Sequence, residues 1–401
     1  MTIVVVGIGA DGWPGLGERP RAALLACAQV VGSERQLALL PEQVRAARRP
    51  WPSPLERLVE ELAETDEEVC VLASGDPMLH GIGATLARRL PADRLVVHPH
   101  PSALSLACAR LGWPAAGVEL VSAVGRPAES VARLLQPRRR MVVYPTGEHG
   151  ASEVARVLCE RGFGPSRFVV LEQLGGEAEH ALETTAEEWG RRTADPLHAV
   201  AIDCACAPRA PLHALVPGLP DDAYEHDGQL TKRPFRALTL AALAPTPGAL
   251  LWDVGAGSGS IGIEWLRAEP SARAVAVERD EERARRVSAN ALRLGVPQLE
   301  LVLGRAPEAL CELDGPDAIF VGGGLTTPGV IERCWYSLVP GGRIVANAVT
   351  LEGERVLTNA VAHCGGELLR VEVAHAAPLG GFHAWRAQLP VVQWSARKER
   401  P

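Results

Sequence analysis

Lysine is nearly absent from this 401-residue chain. It stands only at Lys232 and Lys398, so arginine supplies almost all of the 41 basic residues. With alanine, proline and glycine abundant, the imbalance reads as a codon bias toward GC, and it singles out Lys232 in Thr231-Lys232-Arg233. Nor is there a basic surplus. The 48 acids give a net charge of −7, which argues against a nucleic-acid partner. No apolar run approaches the ~20 residues of a membrane helix, so no membrane association is expected. Residues 1–6 carry no basic lead and run into glycine too early for a secretory signal. The nine cysteines contain no Cys-x-x-Cys pair; reduced thiols, no bound metal and a cytoplasmic location are expected. Cys204 and Cys206, two apart in an apolar run, would share one face of a strand. The histidines show no triad or metal spacing, so His363, His375 and His383 default to structural or surface roles.

What is present describes a globular chain. A hydrophobic fraction of 47% against 22% charged residues supplies ample core, and the length calls for two domains. Strand patterns at 3–8, 69–73, 95–98, 140–144, 168–171 and 199–207 alternate with helical ones at 21–28 and 82–89. Such alternation predicts an α/β domain on a largely parallel sheet. Pro208, Pro211, Pro217 and Pro220, with Asp221, Asp222, Glu225 and Asp227, then mark a linker at 208–226. It separates a domain over 1–207 from one over 227–401. The second domain reads as a helix at 235–243 and strands at 250–254, 274–277, 299–303, 318–321, 343–348, 367–374 and 391–394, with a frayed charged tail.

The densest chemical signal is Asp253-Val254-Gly255-Ala256-Gly257-Ser258-Gly259-Ser260, between a buried strand and a helix. A second strand follows and closes on Glu278, about twenty residues on, where an acid can accept both hydroxyls of a ribose. A dinucleotide needs its third glycine at the sixth place, which here is Ser260. Asp253, aimed into the pocket, would repel a pyrophosphate and suit a cationic ligand. A plain turn does not require three alternating glycines, each with an entropic cost. The Asp-x-Gly-x-Gly-x-Gly order resembles the first motif of class I methyltransferases, whose donor is S-adenosylmethionine. A second glycine pattern, Gly7-Ile8-Gly9-Ala10-Asp11-Gly12, matches a dinucleotide loop literally. Trp13-Pro14-Gly15-Leu16-Gly17 follows and breaks the helix that such a loop needs.

Five segments of the first half form an ordered set: the Gly7 loop, Ser74-Gly75-Asp76-Pro77, Pro99-His100-Pro101-Ser102, Tyr144-Pro145-Thr146-Gly147 and Glu172-Gln173-Leu174-Gly175-Gly176. Together they resemble the tetrapyrrole methylases, the class III methyltransferases, over roughly residues 1–208. Ala10 and Ser102 stand where that family usually has proline and glycine. The resemblance implies a donor folded between two α/β subdomains, with Gly75, Asp76 and Leu79 lining one wall of its pocket and Leu104 and Ser105 the other.

In the second half, Asp227-Gly228-Gln229-Leu230-Thr231-Lys232-Arg233-Pro234-Phe235-Arg236, the glycine cluster, Gly304-Arg305-Ala306-Pro307-Glu308 and Phe320-Val321-Gly322-Gly323-Gly324 resemble the decarboxylating methyltransferases of corrin synthesis. This likeness covers about residues 227–389 and implies a Rossmann-like class I domain. It implies that Gly255, Ala256, Gly257, Ser258 and Gly259 wrap the methionine end of the donor, that Glu278 holds the ribose, and that Thr231 and Ala306 complete the pocket. Arg305 replaces an aspartate common in separate relatives. Lys232, Arg233 and Arg236 are candidates to meet substrate carboxylates, which arginine forks match well.

Joined, the two resemblances imply a bifunctional, decarboxylating methyltransferase of cobalamin synthesis with one S-adenosylmethionine site per domain. It would methylate precorrin-6B at C5 and C15 and remove the C12 acetate carboxyl to give precorrin-8, without metal or pyridoxal phosphate. Both families commonly form homo-oligomers. No acid–base constellation stands out, since such an enzyme mainly aligns two reactants. The catalytic residues stay unassigned. Three alternatives remain at this point: another tetrapyrrole as substrate, a non-catalytic donor-binding scaffold, and a dinucleotide oxidoreductase.

Overall fold

The computed structural model describes residues 2–52, 56–65 and 67–400; Met1 and Pro401, the outer limits of the two expected domains, lie outside these. The chain divides into two compact units, Met1–Ala128 with Pro137–Ala210, and Glu129–Gln136 with Pro211–Pro401. A boundary read from linker composition does not foresee that Glu129–Gln136 groups with the second unit. Long-range contact puts it there: Arg133 Nε donates to the Arg267 carbonyl at 3.0 Å.

The first unit holds two sheets. Ile3–Ile8 is apolar without alternation and almost wholly buried, as suits a strand covered on both faces of a parallel sheet. It lies in a parallel five-stranded sheet ordered Ala47–Pro50, Gln29–Gly32, Val69–Ser74, Ile3–Ile8, Leu95–His98. The second sheet runs Val118–Ser122, Arg140–Tyr144, His198–Asp203, Arg167–Glu172, His180–Thr185. Only its first pair is parallel, so the expectation of a largely parallel sheet holds for half of this unit. The exposed strand His180–Thr185 carries no apolar alternation to announce it.

Two local readings are corrected. The last strand stops at Asp203, where the Ser166 hydroxyl takes the Ala205 N–H at 3.0 Å. Cys204 and Cys206 therefore lie beyond it and share no strand face. After the Gly7 loop, one helical turn does form at Gly12–Gly15 before Leu16 turns extended. Pro14 is tolerated there because a first turn needs no N–H from it.

The second unit is built on a seven-stranded sheet. In order across it lie Glu300–Leu303, Arg273–Glu278, Leu250–Val254, Ala318–Val321, Arg343–Ala348, Val391–Arg397 and Glu367–Val371. Numbered along the chain within this sheet, the order is 3-2-1-4-5-7-6. The first five are parallel and the seventh runs antiparallel to both neighbours. The predicted strand at 367–374 splits in two: Glu367–Val371 joins the sheet, while Ala374–Leu379 pairs with Phe382–Ala387 as a separate exposed hairpin. The tail does not fray before residue 398. Lys398 Nζ donates to the carbonyls of Trp335, Tyr336 and Leu338 at 3.0, 3.0 and 2.7 Å, a cation at the end of the helix Val330–Ser337.

The proline-rich segment is anchored by a buried acid. Glu264, on the helix Ser260–Ala268, accepts hydrogen bonds from the backbone N–H groups of Gly218 and Leu219, from the Tyr224 hydroxyl and from Arg236 Nε. Arg236 is itself fully buried and also bonds Asp221 and the carbonyls of Thr231 and Leu219. Removing one partner of such a pair strands the other charge without solvent. Glu264→Ala should therefore lower stability by about 3–5 kcal/mol, read from urea unfolding of the full chain, while Arg233→Ala on the exposed helix start should change little. A shift under about 1 kcal/mol for Glu264→Ala, the scale of a surface pair, would contradict this account.

Candidate active site

Parallel strands deliver their carboxyl ends to one edge, and the loops there form the crevice that ligands use. In the second unit, Gly255, Glu278, Ala306, Gly323 and Asn347 from five successive parallel strands or the loops after them line one cavity of about 770 Å³. Thr231 and Lys232, just before the helix Arg233–Leu243, close another side.

Gly255 sits at φ +71°, and a Cβ there would lie 2.4 Å from Gly323 Cα. Two loops thus meet backbone to backbone, which no side chain would permit. Gly257, at φ +60°, donates its N–H to Glu278 Oε2 at 2.8 Å. The other carboxylate oxygen takes the Arg279 and Asp280 N–H groups at 2.9 and 3.0 Å. A carboxylate offers about four acceptor positions, so this buried acid at the cavity wall keeps capacity for a ligand hydroxyl.

Asp253 lies elsewhere than the sequence suggests. Its carboxylate is beneath the glycine loop, away from the cavity lining, with Oδ2 accepting the Gly262 N–H at 2.9 Å. Among the described residues Oδ1 has no hydrogen-bond partner. Burial pushes the carboxyl up to about 7, with the Gly262 N–H opposing and Glu278 adding to the rise. Ser258 and Gly259 are also off the lining. Ser258 is buried, its carbonyl bonded by Asn290 Nδ2 at 3.0 Å, and Gly259 turns the chain into the helix. Asn290 grips Glu225 through both backbone groups as well, at 2.9 Å each, so one buried amide ties the loop before Thr231 to the glycine loop.

In the first unit, the carboxyl ends of Ile3–Ile8, Val69–Ser74 and Leu95–His98 are adjacent. Gly75, at φ +59°, donates its N–H to the Ile8 carbonyl at 3.1 Å. A Cβ on Gly7 would stand 2.2 Å from the Gly75 carbonyl oxygen. Asp76 closes the next turn, its side chain accepting the Met78 N–H at 2.9 Å and its carbonyl the Leu79 N–H at 3.2 Å. Opposite, Ser102 caps the helix Ala103–Leu111 by accepting the Ser105 N–H at 3.1 Å. Leu104 donates its N–H to the Tyr144 hydroxyl at 2.7 Å. The structure thus brings the segments bearing Gly75, Asp76 and Leu79 against those bearing Leu104 and Ser105. A side-chain contact that sequence reading missed lies here too: His100 Nε2 is 3.1 Å from Asp11 Oδ2.

Residues 222–398 match the family described as "Precorrin methyltransferase domain", and residues 2–190 match "Tetrapyrrole (Corrin/Porphyrin) Methylases". Over 400 residues the chain is 46% identical to the precorrin-6Y C(5,15)-methyltransferase (decarboxylating) of Mycobacterium tuberculosis, covering 99% of this chain and 100% of that protein. It is 40% identical over 141 residues to a probable cobalt-precorrin-6B C(15)-methyltransferase (decarboxylating) of Pyrobaculum calidifontis, covering 34% of this chain and 72% of that protein. The crystal structure of the C-terminal domain of precorrin-6Y C5,15-methyltransferase from Rhodobacter capsulatus is 48% identical, covering 46% of this chain and all of that one, with a TM-score of 0.44. The chain belongs to the precorrin-6Y C(5,15)-methyltransferase (decarboxylating) family.

As a member of that family it is a methyltransferase that uses S-adenosylmethionine and takes a tetrapyrrole. The oxidoreductase and scaffold readings fall with that membership. No helix among the described residues is long and apolar enough to cross a membrane, and none of their His, Cys, Asp and Glu side chains form a group that could hold a metal ion.

Of the three basic candidates, only Lys232 lines the cavity. Arg236 faces inward, and its charge is already committed to Glu264 and Asp221. Arg233 is exposed, its backbone N–H donated to Asp221 at 2.9 Å. Helical spacing does not separate them, because residues three apart share a face; the buried acid Glu264 selects the second. Sequence reading also missed Asn347 and Gln388 on the lining. Asn347 leaves a faint trace, as an amide near the end of the otherwise apolar strand Arg343–Ala348.

Two outcomes follow. Gly255→Ala forces a β-carbon into Gly323 at a left-handed position, so donor affinity measured by calorimetry should fall at least about tenfold, the equivalent of about 1.4 kcal/mol. Asp253 has its carboxyl raised in the fold, so the native state holds more protons than the unfolded one between about pH 4 and 7. Its contribution to stability is then fully present below pH 4 and is lost as pH rises to about 7. Asp253→Asn should remove that decline from the stability–pH curve, and an unchanged slope would refute the assignment.

Proposed function

We propose that the two units divide the work on one tetrapyrrole. The second methylates C15 of precorrin-6B and removes the C12 acetate carboxyl. The first methylates C5, giving precorrin-8, with one S-adenosylmethionine site in each. The observation that carries this reading is that each unit gathers glycine-tight loops at the carboxyl edge of parallel strands, by unrelated topologies. The Pyrobaculum relative supports the division, because its name joins C15 methylation with decarboxylation in a protein matched by about a third of this chain. The family habit of homo-oligomers and the nine unbridged cysteines support an oligomer working in a reducing cytoplasm.

The donor fits the cavity of the second unit. Gly255 and Gly257 bring bare main chain to its wall, and Glu278 has acceptor capacity to spare. When bound, it supplies an electrophilic methyl group on a sulfonium. The protein's part is alignment, worth ~7–11 kcal/mol when two reactants are held in attack geometry. Leu230, Phe235, Ile261 and Val391 keep the cavity partly apolar, while Lys232 offers a cation to a ring carboxylate. Methylation moves a methyl to a bridging carbon, which gives up its proton. In decarboxylation the carbon–carbonyl bond of the acetate breaks, its electron pair enters the conjugated ring, and a proton from water completes the methyl left behind. No pyridoxal cofactor is required for that.

The test is mass spectrometry of the product from full-length protein, precorrin-6B and donor. Wild type should add two methyls and lose one carbon dioxide. Glu278→Ala should lose only the C15 methyl. Gly75→Val should lose only the C5 methyl. A Glu278→Ala protein that lost the C5 methyl instead, or a Gly75→Val protein that lost the C15 methyl, would overturn the division of labour.

A further inference from the structure

The geometry points to Asn347 as the residue that holds the departing acetate carboxylate. This rests on the reading that the second unit decarboxylates the ring. The cavity has two sides. The glycine loop, Glu278 and Ala306 belong to strands 1, 2 and 3 of the sheet, whereas Asn347 and Val391 belong to strands 5 and 7. Strands lie about 4.8 Å apart, so Glu278 and Asn347 stand roughly 14 Å from each other across the sheet. Asn347 is therefore on the side away from the donor's ribose contact, among Phe235, Val349, Leu389 and Val391.

Its amide is held in one orientation. Asn347 and Gln393 are direct register partners on neighbouring strands. Asn347 Nδ2 donates to Thr239 Oγ1 at 2.9 Å, and Gln393 Nε2 donates both to Thr239 Oγ1 and to Asn347 Oδ1, each at 3.0 Å. Thr239 is fully buried and Gln393 is 6% exposed. Three unlike polar groups inside an apolar core are costly unless they satisfy one another. Their effect is to fix Asn347. An amide nitrogen carries two N–H donors; the network takes one, and the other is left for the cavity that Asn347 lines.

The chemistry favours a neutral donor at this place. A lysine or arginine would stabilise the carboxylate as an ion pair and oppose its loss. A fixed amide can hold the carboxylate with its breaking bond aligned to the ring's π system at a smaller cost to departure. Lys232, seven residues before Thr239 on the same helix approach, is roughly 10 Å along the axis and serves other carboxylates of the ring.

The test uses the full chain with precorrin-6B and S-adenosylmethionine. Asn347→Ala should slow carbon dioxide release by about ten- to hundredfold, the loss typical of a hydrogen bond to a charged group, with donor affinity by calorimetry unchanged. Asn347→Asp keeps the shape but repels a carboxylate; its activity should be low at pH 8 and rise on acidification, a profile that a purely structural role would not produce. Thr239→Val should give an intermediate loss. Carbon dioxide release unaffected in Asn347→Ala, or donor affinity falling in step with it, would overturn the assignment. If Asn347→Ala proves unstable on melting, the pH profile of Asn347→Asp decides: a flat one overturns it. Wild-type protein that methylates but never decarboxylates would instead overturn the functional reading beneath it.

Discussion

Glu264 is the constraint on which the second unit's site depends. A carboxylate 2% exposed survives in a core only when donors surround it, and here four groups from three segments do so. Through Arg236 the same network reaches the Thr231 carbonyl, so the wall of the cavity is positioned by a charge that never meets a ligand. The segment that reads as a proline-rich linker is, from Leu219 to Tyr224, part of the core of this unit.

Both units bring their loops together through the main chain. Gly255 against Gly323 and Gly7 against Gly75 are close approaches of backbone to backbone, each at the carboxyl ends of adjacent parallel strands. Side chains at these positions would separate the loops and widen the crevice. Specific side chains then act at the margins: Glu278 as acceptor, Asn290 as the tie between two loops, and Tyr144 under the helix start at Leu104. This arrangement agrees with a reaction whose main demand on the protein is placement.

Much of this was legible in the sequence. The central parallel strands of the second sheet, the glycine turn and Glu278 announce themselves because buried parallel strands are uniformly apolar and their ends are punctuated by glycine. The order of motifs in the first half carried the family. What escaped detection shares one cause, contact between distant residues. Arg236 and Arg233 look alike on a helix until Glu264, 28 residues on from Arg236, selects one for burial. Asp253 reads as a pocket carboxylate until the Gly262 N–H draws it under the helix. Asn347 acquires meaning only from Thr239 and Gln393, 108 and 46 residues away. The edge strand His180–Thr185 and the hairpin of Ala374–Leu379 with Phe382–Ala387 lack the alternation that half-buried strands show.

The scarcity of lysine acquires a chemical meaning from the fold. One of the two ε-amines, that of Lys398, is surrounded by three carbonyl oxygens at the end of a helix. The other, that of Lys232, faces the cavity. Side-chain amine reactivity in this protein is thus concentrated at a single cavity, so an acylating reagent at low dose becomes a label directed to that cavity without any engineering of the chain.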